Sequence, residues 1–188
     1  TDYVLFYGEA AQRWEYDSEK ADYVWIKNLY TDDNAYWLGF SGGIQGKRQT
    51  RRSGALTRTA PEKPDYYRAY IHSEEEQFIL YQTYGIKSGY TWYGEDFRGN
   101  ARNFRVLVKD PAESPVDIRL GFIGIGGNSS RFNVRWNGTR VGDISFDSPR
   151  PVQRALQSEG GPVEGLNELG LFHSGDPARF DWYELEYD

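Results

Sequence analysis

Residues 131–146 have the sequence RFNVRWNGTRVGDISF, and this stretch decides the fold class. Apolar residues alternate with polar ones up to Trp136, which gives an extended strand one apolar face. Asn137 and Gly138 follow at once and tolerate the positive φ of a type I′ turn, so a β-hairpin is predicted. Gly142 on the return strand marks the expected position of a bulge. Because two strands alone expose their apolar face, the rest of the chain must supply a sheet beneath this hairpin.

The same alternation recurs elsewhere in the chain, over residues 104–108, 116–122 and 180–187. Turns rich in glycine, proline and asparagine separate these short runs, as is typical of all-β proteins. The pattern predicts an all-β protein, an antiparallel β-sandwich of jelly-roll type with one short helix. A length of 188 residues is enough to bury a core without disulfides, so a single domain over residues 1–188 is expected.

The one predicted helix spans residues 74–83. Ser73 and Glu76 form a Ser-x-x-Glu capping box just before the apolar run 78–81. Acidic residues in the first turn of such a helix suit its dipole. The alternative is a strand that begins near Phe78.

Composition excludes several classes of protein. Hydrophobic residues make up 38% and aromatic residues 16% of the chain, which excludes a disordered segment. The net charge of −6 argues against a general nucleic-acid binder, and no apolar run approaches the roughly 18 residues of a membrane helix. The chain contains no cysteine, so it has neither a disulfide nor a thiol nucleophile. It also does not begin with methionine, which is expected after a processing or cloning cut.

The two histidines are the only candidates for a general base near neutral pH. A hydrolase would need His72 or His173 fixed by a third group and aimed at a nucleophile. Neither residue lies in a sequence motif of that kind. No catalytic residue is therefore predicted for this chain.

One loop is a candidate metal site. Asp32, Asp33 and Asn34 are consecutive oxygen-bearing residues, and a loop can arrange such oxygens around a hard cation. Calcium is the metal predicted by this chemistry, and no other cofactor is expected. The alternative for the same three residues is a solvated turn.

A second candidate site combines rings and acids. Trp92 and Tyr93 precede Glu95 and Asp96, so rings for stacking on a sugar lie beside carboxylates for its hydroxyl groups. This arrangement predicts a carbohydrate-binding surface. The alternative is that the rings close one end of the sandwich.

Several sequence pieces together resemble a known family. They are DYVLFYG at 2–8, WEYD at 14–17, NLYTD at 28–32, YWL at 36–38, SGYTWYGEDF at 88–97, the hairpin at 131–141 and FDWYELEY at 180–187. In this order they resemble the region that precedes the catalytic domain in gingipain-type cysteine peptidases. That group includes the sortase of the type IX secretion system. The resemblance covers nearly the whole chain.

The resemblance implies a β-sandwich that lies just before a caspase-like peptidase domain in an exported bacterial protein. The catalytic Cys and His of the family belong to that next domain, and no catalytic residue can be transferred to a chain without cysteine. The expected function is a non-catalytic accessory domain, secreted or at the cell surface, with the following peptidase domain of the same polypeptide as its partner. Such a role predicts an exposed apolar patch near the aromatic segment or the last strand. A carbohydrate-binding module with a glycan partner is the alternative.

Overall fold

A computed structural model of the chain describes residues 6–28, 30–39, 65, 67–80, 91–147 and 149–188. Its contacts divide the chain into two compact units, Thr1–Asp65 and Tyr66–Asp188. The expectation of a single domain over residues 1–188 stays a prediction.

The first unit contains a β-hairpin of strands β1 (Arg13–Asp17) and β2 (Asp22–Ile26), which pair antiparallel. The carboxylate of Asp17 closes the turn, since its Oδ1 accepts the N–H groups of Glu19 at 2.9 Å and Lys20 at 3.3 Å. This local bonding explains why the chain reverses directly after β1.

Four rings line one face of that hairpin. Trp14 lies opposite Trp25 and Tyr16 opposite Tyr23, with ring centroids 5.5 and 5.4 Å apart. Both pairs meet edge to face, the geometry that aromatic rings prefer across an antiparallel ladder. The alternation of rings with charged residues in this segment therefore produces two cross-strand aromatic pairs.

The second unit is built from short antiparallel strands. In chain order they are β3 (Ala69–Glu74), β4 (Phe78–Leu80), β5 (Thr91–Tyr93), β6 (Glu95–Phe97), β7 (Ala101–Val108), β8 (Asp117–Gly124), β9 (Ser129–Trp136), β10 (Thr139–Asp147), β11 (Pro151–Gln157), β12 (Gly165–Gly175) and β13 (Ala178–Tyr187). One sheet has the order β10-β9-β12-β7, and the other has the order β11-β8-β13-β3 with β6 also paired to β13. A small ladder joins β4 to β5.

The two sheets pack face to face through aromatic rings. The ring of Phe122 on β8 lies 4.5 Å from that of Phe132 on β9, and Phe104 on β7 lies 5.1 Å from Phe180 on β13, centroid to centroid. Each pair joins one sheet to the other. The prediction of an all-β antiparallel sandwich is confirmed, while jelly-roll connectivity stays a prediction.

The hairpin of β9 and β10 has the predicted turn. Asn137 and Gly138 have φ angles of 48° and 80°. The register shifts between Arg140 and Gly142, which is the bulge expected from the sequence. A side chain at Gly142 would place its Cβ 3.0 Å from Leu156 on β11, so glycine also lets the edges of the two sheets approach each other.

The helix predicted over residues 74–83 is wrong. Residues up to Glu74 belong to β3, β4 begins at Phe78, and the described part of the chain contains no helix; residues 81–83 lie outside it. The physical reason is that every residue of β3 pairs with a residue of β13, with His72 opposite Glu184. Tertiary pairing therefore overrides a local capping signal. Among the described residues no helix is suited to crossing a membrane.

Candidate functional site

The aromatic and acidic segment that was predicted to bind sugar is part of the sheet structure. Tyr93 ends β5, and the N–H of Gly94 donates to the carbonyl oxygen of Phe180 on β13 at 2.9 Å. A Cβ at Gly94 would lie 2.9 Å from the carbonyl oxygen of Glu75, so the backbone segments pack closely here. The segment is therefore fixed against β13.

The two rings of this segment have different environments. Tyr93 is only 1% exposed and belongs to the core, whereas Trp92 is partly buried. A sugar stacks on an accessible ring face, so Trp92 is the ring of the two with surface available to a ligand. Carbohydrate binding at this segment stays a prediction.

The two acids of the segment are paired with arginines. Glu95 Oε2 lies 3.2 Å from Arg102 Nε, and Asp96 Oδ2 lies 2.8 Å from Arg98 Nε. Arg179 Nε is 3.9 Å from the other oxygen of Asp96. These arginines compensate the negative charge, which reduces the capacity of both carboxylates to bind a cation or to accept from sugar hydroxyls.

The three residues predicted to bind calcium lie in an exposed segment of the first unit. Asp32 Oδ1 accepts from Gln12 Nε2 at 2.5 Å, and Asn34 Nδ2 donates to the carbonyl oxygen of Glu9 at 3.1 Å. The backbone N–H of Asp33 donates to a neighbouring threonine hydroxyl at 3.0 Å. Within the described residues, no group of three His, Cys, Asp or Glu side chains is arranged to hold a metal ion. Calcium binding at these residues stays a prediction.

His173 links two loops of the second unit. Its Nδ1 accepts the N–H of Gly99 at 2.8 Å, so Nε2 carries the proton and donates to the carbonyl oxygen of Asp176 at 2.9 Å. The ring also packs 4.9 Å from the ring of Phe132. Burial lowers the pKa of His173, and this effect exceeds the opposite effect of the Asp176 carbonyl. The ring is a neutral structural link.

His72 lies between two carboxylates on the outer face of the five-stranded sheet. Its Nδ1 is 3.2 Å from Glu184 Oε1, its Nε2 is 3.4 Å from Glu74 Oε2, and its ring lies beside Trp182. Burial opposes its protonation, but the hydrogen bonds and charges of the two glutamates raise the pKa of His72 above the usual value. Both ring nitrogens are thus engaged by carboxylates, which favours the charged imidazolium.

An ion-pair ladder continues from this histidine along the same sheet face. Arg119 lies 3.7 Å from Glu184 and 3.2 Å from Glu186, measured between guanidinium nitrogens and carboxylate oxygens. Arg68 Nη1 lies 2.7 Å from the other oxygen of Glu186. Glu186 is only 8% exposed, so these ion pairs are largely removed from water and their attraction is offset by the cost of desolvation. They do not form a catalytic arrangement of base and nucleophile.

Strands β7 and β13 finish at the same end of the sandwich, which we call the Asp188 end. The N–H of Ala112, in the loop after β7, donates to the carbonyl oxygen of Asp188 at 2.7 Å. The N–H of Asp188 donates to Ser114 Oγ at 3.3 Å, and its Oδ1 accepts from Arg68 Nε at 3.1 Å. Residue 188 is thus fixed through both its main chain and its side chain.

Four large exposed apolar side chains lie within two residues of the ends of β3, β7 and β12, and sequence reasoning did not identify them individually. They are Tyr67 (64% exposed), Leu107 (60%), Val163 (54%) and Leu166 (66%). Leu107 and Leu166 lie directly opposite each other on β7 and β12. Arg68, the residue after Tyr67, bonds to Asp188, and the carboxylate of Glu164 accepts the N–H of Asp110 at 2.7 Å.

A buried asparagine fixes the loop that carries Val163. Asn167 is 2% exposed, and its Oδ1 accepts from the N–H of Val163 at 2.9 Å and from Asn137 Nδ2 at 2.8 Å. Its Nδ2 donates to the carbonyl oxygen of Val163 at 2.7 Å. The exposed valine is therefore presented by an ordered loop.

Comparison with known proteins gives a structural likeness over most of the chain. A crystal structure of dimeric latent PorU from Porphyromonas gingivalis matches with a TM-score of 0.59 and 17% identity, covering 94% of this chain and 18% of that one. The chain thus spans less than a fifth of the PorU chain, and the structural likeness, at 17% identity, shows a shared fold alone.

Carbohydrate-binding modules are similar over a smaller part of the chain. A CBM36 module in complex with calcium and xylotriose has a TM-score of 0.40 and 15% identity, covering 62% of this chain and 98% of that one. The C-terminal CBM6 of LamC from Zobellia galactanivorans has a TM-score of 0.39 and 14% identity, with coverages of 62% and 98%. No protein-family model and no curated protein matches the chain.

Proposed function

We propose that this chain is a non-catalytic β-sandwich module of an exported polypeptide, and that it positions a gingipain-type peptidase domain that follows it. Two likenesses to the same group of proteins support the proposal, one in sequence and one in fold. The ordered sequence pieces resemble the region before the peptidase domain of that family, and the PorU likeness extends over 94% of the chain. In this proposal the parent protein is secreted or lies at the bacterial cell surface.

The observation that carries the proposal is the rigid attachment of Asp188. Its main chain bonds to Ala112 and Ser114, and its carboxylate bonds to Arg68. It follows β13, which lies between β8 and β3 inside a sheet. A domain joined at such a residue begins from a fixed point, whereas a glycine- or serine-rich tether would let it rotate. The sandwich is therefore suited to positioning.

The chemistry of the side chains also supports a non-catalytic role. The chain has no cysteine and so cannot supply the nucleophile of a cysteine peptidase. His173 bonds to two backbone groups, and His72 lies between two carboxylates. The nitrogens of both imidazole rings are therefore used in contacts within the fold.

The experiment compares this chain alone with the longer polypeptide encoded by its gene. We expect the chain alone to hydrolyse neither peptide nor ester substrates. In the longer polypeptide we expect the sandwich to melt together with its neighbour and at a higher temperature. An interface worth about 2 kcal/mol would raise the melting temperature by about 4–8 °C for a unit of this size.

Two results would contradict the proposal. One is hydrolysis by the isolated chain that is lost on replacing His72 or His173. The other is a melting transition of the sandwich that is identical in the two proteins, since a module that packs on its neighbour must share stabilisation with it.

A further inference from the structure

One turn of the sandwich carries a chemically labile pair of residues. Asn137 and Gly138 form the only Asn-Gly sequence in the chain, and both have positive φ angles in the turn between β9 and β10. An asparagine followed by glycine is prone to deamidation, because glycine has no side chain to shield its main-chain nitrogen from the asparagine amide. Asn137 is exposed, so water and hydroxide reach this turn.

Deamidation is a reaction between two neighbouring groups of the chain. The main-chain nitrogen of Gly138 loses its proton to hydroxide and attacks Cγ of Asn137. The bond from this nitrogen to Cγ forms, the bond from Cγ to Nδ2 breaks, and Nδ2 leaves as ammonia. One water molecule then opens the succinimide ring at either carbonyl group, which gives aspartate or isoaspartate at position 137. The reaction therefore needs only water, and it requires Cγ of Asn137 to move into bonding distance of the Gly138 nitrogen.

The folded chain holds this Cγ through both polar atoms of the side-chain amide. Asn137 Oδ1 accepts the N–H of Glu168 at 2.8 Å, and Asn137 Nδ2 donates to Asn167 Oδ1 at 2.8 Å. The main-chain N–H of Asn137 donates to the carbonyl oxygen of Glu168, also at 2.8 Å. Three hydrogen bonds thus join Asn137 to β12. Drawing Cγ towards Gly138 pulls both amide atoms away from their partners on that strand.

We propose that Asn137 is a latent modification site, whose deamidation is held back by its bonds to β12 and proceeds when the turn detaches from that strand. The N–H of Glu168 also has an opposite influence, since a hydrogen bond to Oδ1 makes Cγ more susceptible to attack. Detachment must break three hydrogen bonds and open the contact with the buried Asn167, which is 2% exposed. This cost exceeds what the polarisation of one carbonyl group returns.

The modified turn cannot form the same contacts again. A carboxylate at position 137 has no N–H to donate, so an oxygen replaces Nδ2 opposite Asn167 Oδ1 and two acceptors face each other. Asn167 also holds the main chain of Val163 through bonds of 2.9 and 2.7 Å, so its displacement loosens that loop. Isoaspartate adds a carbon atom to the main chain and so alters the two-residue turn as well. Deamidation is therefore a permanent mark of molecules in which this turn has opened.

Peptide mapping by mass spectrometry tests the proposal on the unmodified chain. The chain is incubated at mildly alkaline pH, folded in buffer and unfolded in urea, and the peptide that contains Asn137 is analysed for deamidation and isoaspartate. We expect the folded chain to react at least about tenfold more slowly than the unfolded chain. Asn128, which is followed by Ser129, is the internal comparison, and in urea it should react more slowly than Asn137. Equal rates at Asn137 in the two conditions, a faster reaction in the folded chain, or equal rates at Asn128 and Asn137 in urea would each overturn the inference.

A pair of variants separates this contact from overall stability. Asn167→Ala removes the acceptor of Asn137 Nδ2, whereas His173→Leu weakens the sandwich at the bonds to Gly99 and Asp176. Both variants are measured below their own melting temperatures. We expect Asn167→Ala to speed deamidation of the folded chain at least about fivefold, while His173→Leu leaves the rate within about twofold. Equal acceleration in both variants would overturn the role of the contact, because the rate would then follow overall stability. If Asn167→Ala does not fold, the comparison of folded and unfolded chains still decides the proposal.

A stable mimic tests whether the modified turn can close. Asn137→Asp introduces the charge that deamidation adds, and Asn103→Asp introduces the same charge at an exposed position on β7. We expect Asn137→Asp to lower the melting temperature by at least about 4 °C and Asn103→Asp to change it by less than about 2 °C. An Asn137→Asp chain that melts together with the unmodified chain would overturn the permanence of the mark.

Discussion

Replacing His173 with leucine tests the link that this ring makes between two loops of the sandwich. The imidazole accepts the N–H of Gly99 and donates to the carbonyl oxygen of Asp176, at 2.8 and 2.9 Å. Leucine is similar in size and packs well beside Phe132, but it can form neither bond. The substitution therefore removes two hydrogen bonds while largely preserving the apolar contacts.

The expected magnitude follows from these two bonds. A backbone group that loses its partner in a buried position costs about 1–3 kcal/mol, and water reaching the loops recovers part of this. We expect His173→Leu to lower the free energy of unfolding by about 2–4 kcal/mol. For a unit of this size that corresponds to a fall in melting temperature of about 5–15 °C.

The same substitution has a defined pH dependence. Burial lowers the pKa of His173 below the ordinary value of 6.5, so the folded protein keeps the ring neutral while the unfolded chain binds a proton. The stability contributed by the neutral ring is complete above the unfolded pKa and is lost as pH falls towards the folded pKa. The difference in unfolding free energy between the unmodified chain and His173→Leu should therefore be larger at about pH 8 than at about pH 5.

Urea unfolding followed by tryptophan fluorescence at both pH values measures these differences. Ser174→Ala is the matched control, because Ser174 is exposed on the same strand, and it should change stability by less than about 0.5 kcal/mol. The reasoning is refuted if His173→Leu is as stable as the unmodified chain at about pH 8. It is also refuted if the difference widens as the solution is acidified.

Four further outcomes are expected. The two carboxylates beside His72 raise its pKa against the effect of burial. The stability that the charged ring contributes to the fold is therefore present below pH 6.5 and is lost as the pH rises through the folded pKa. His72→Gln should therefore reduce the unfolding free energy more at about pH 6 than at about pH 9, and an equal reduction at both would contradict this. Gly121→Ala places a Cβ 2.7 Å from the indole of Trp182, so we expect a loss of about 1–3 kcal/mol and an altered near-ultraviolet circular dichroism spectrum; unchanged stability would refute the close packing. Carbohydrate binding through Trp92 predicts a saturable change in tryptophan fluorescence with polysaccharide, lost in Trp92→Ala, and no response would remove that role. Calcium binding at residues 32–34 predicts a melting temperature that rises with calcium and no longer rises in Asp33→Asn, whereas a constant value would exclude it.

The direction in which Leu166 points follows from the sequence and the structure together. Leu166 lies three residues before Leu169, and residues an odd number apart point to opposite faces of a strand. The structure supplies the second premise, that Leu169 is fully buried, and together the two show that Leu166 faces outwards. What alternation alone does not reveal is that Leu107 lies directly opposite Leu166, because that pairing joins strands more than 50 residues apart.

The helix prediction failed for a related reason. The capping box of Ser73 and Glu76 describes how a helix start would satisfy its own N–H groups. In the folded chain Ser73 pairs with Tyr183, a residue 110 positions later, and the ladder of β3 with β13 satisfies the backbone instead. A capping signal of neighbouring residues contains no information about the backbone pairing that a distant strand can form instead.

The amino-acid sequence by itself determined the hairpin of β9 and β10, its turn at Asn137-Gly138, its bulge at Gly142 and the absence of a thiol, because each depends on neighbouring residues or on composition alone. Tertiary structure decided that Tyr93 is buried and that His173 is a neutral link. It also decided that the exposed side chains of Leu107 and Leu166 lie opposite each other on neighbouring strands. These properties depend on which distant strands lie side by side, and the free energy of that pairing is shared among residues far apart in the chain.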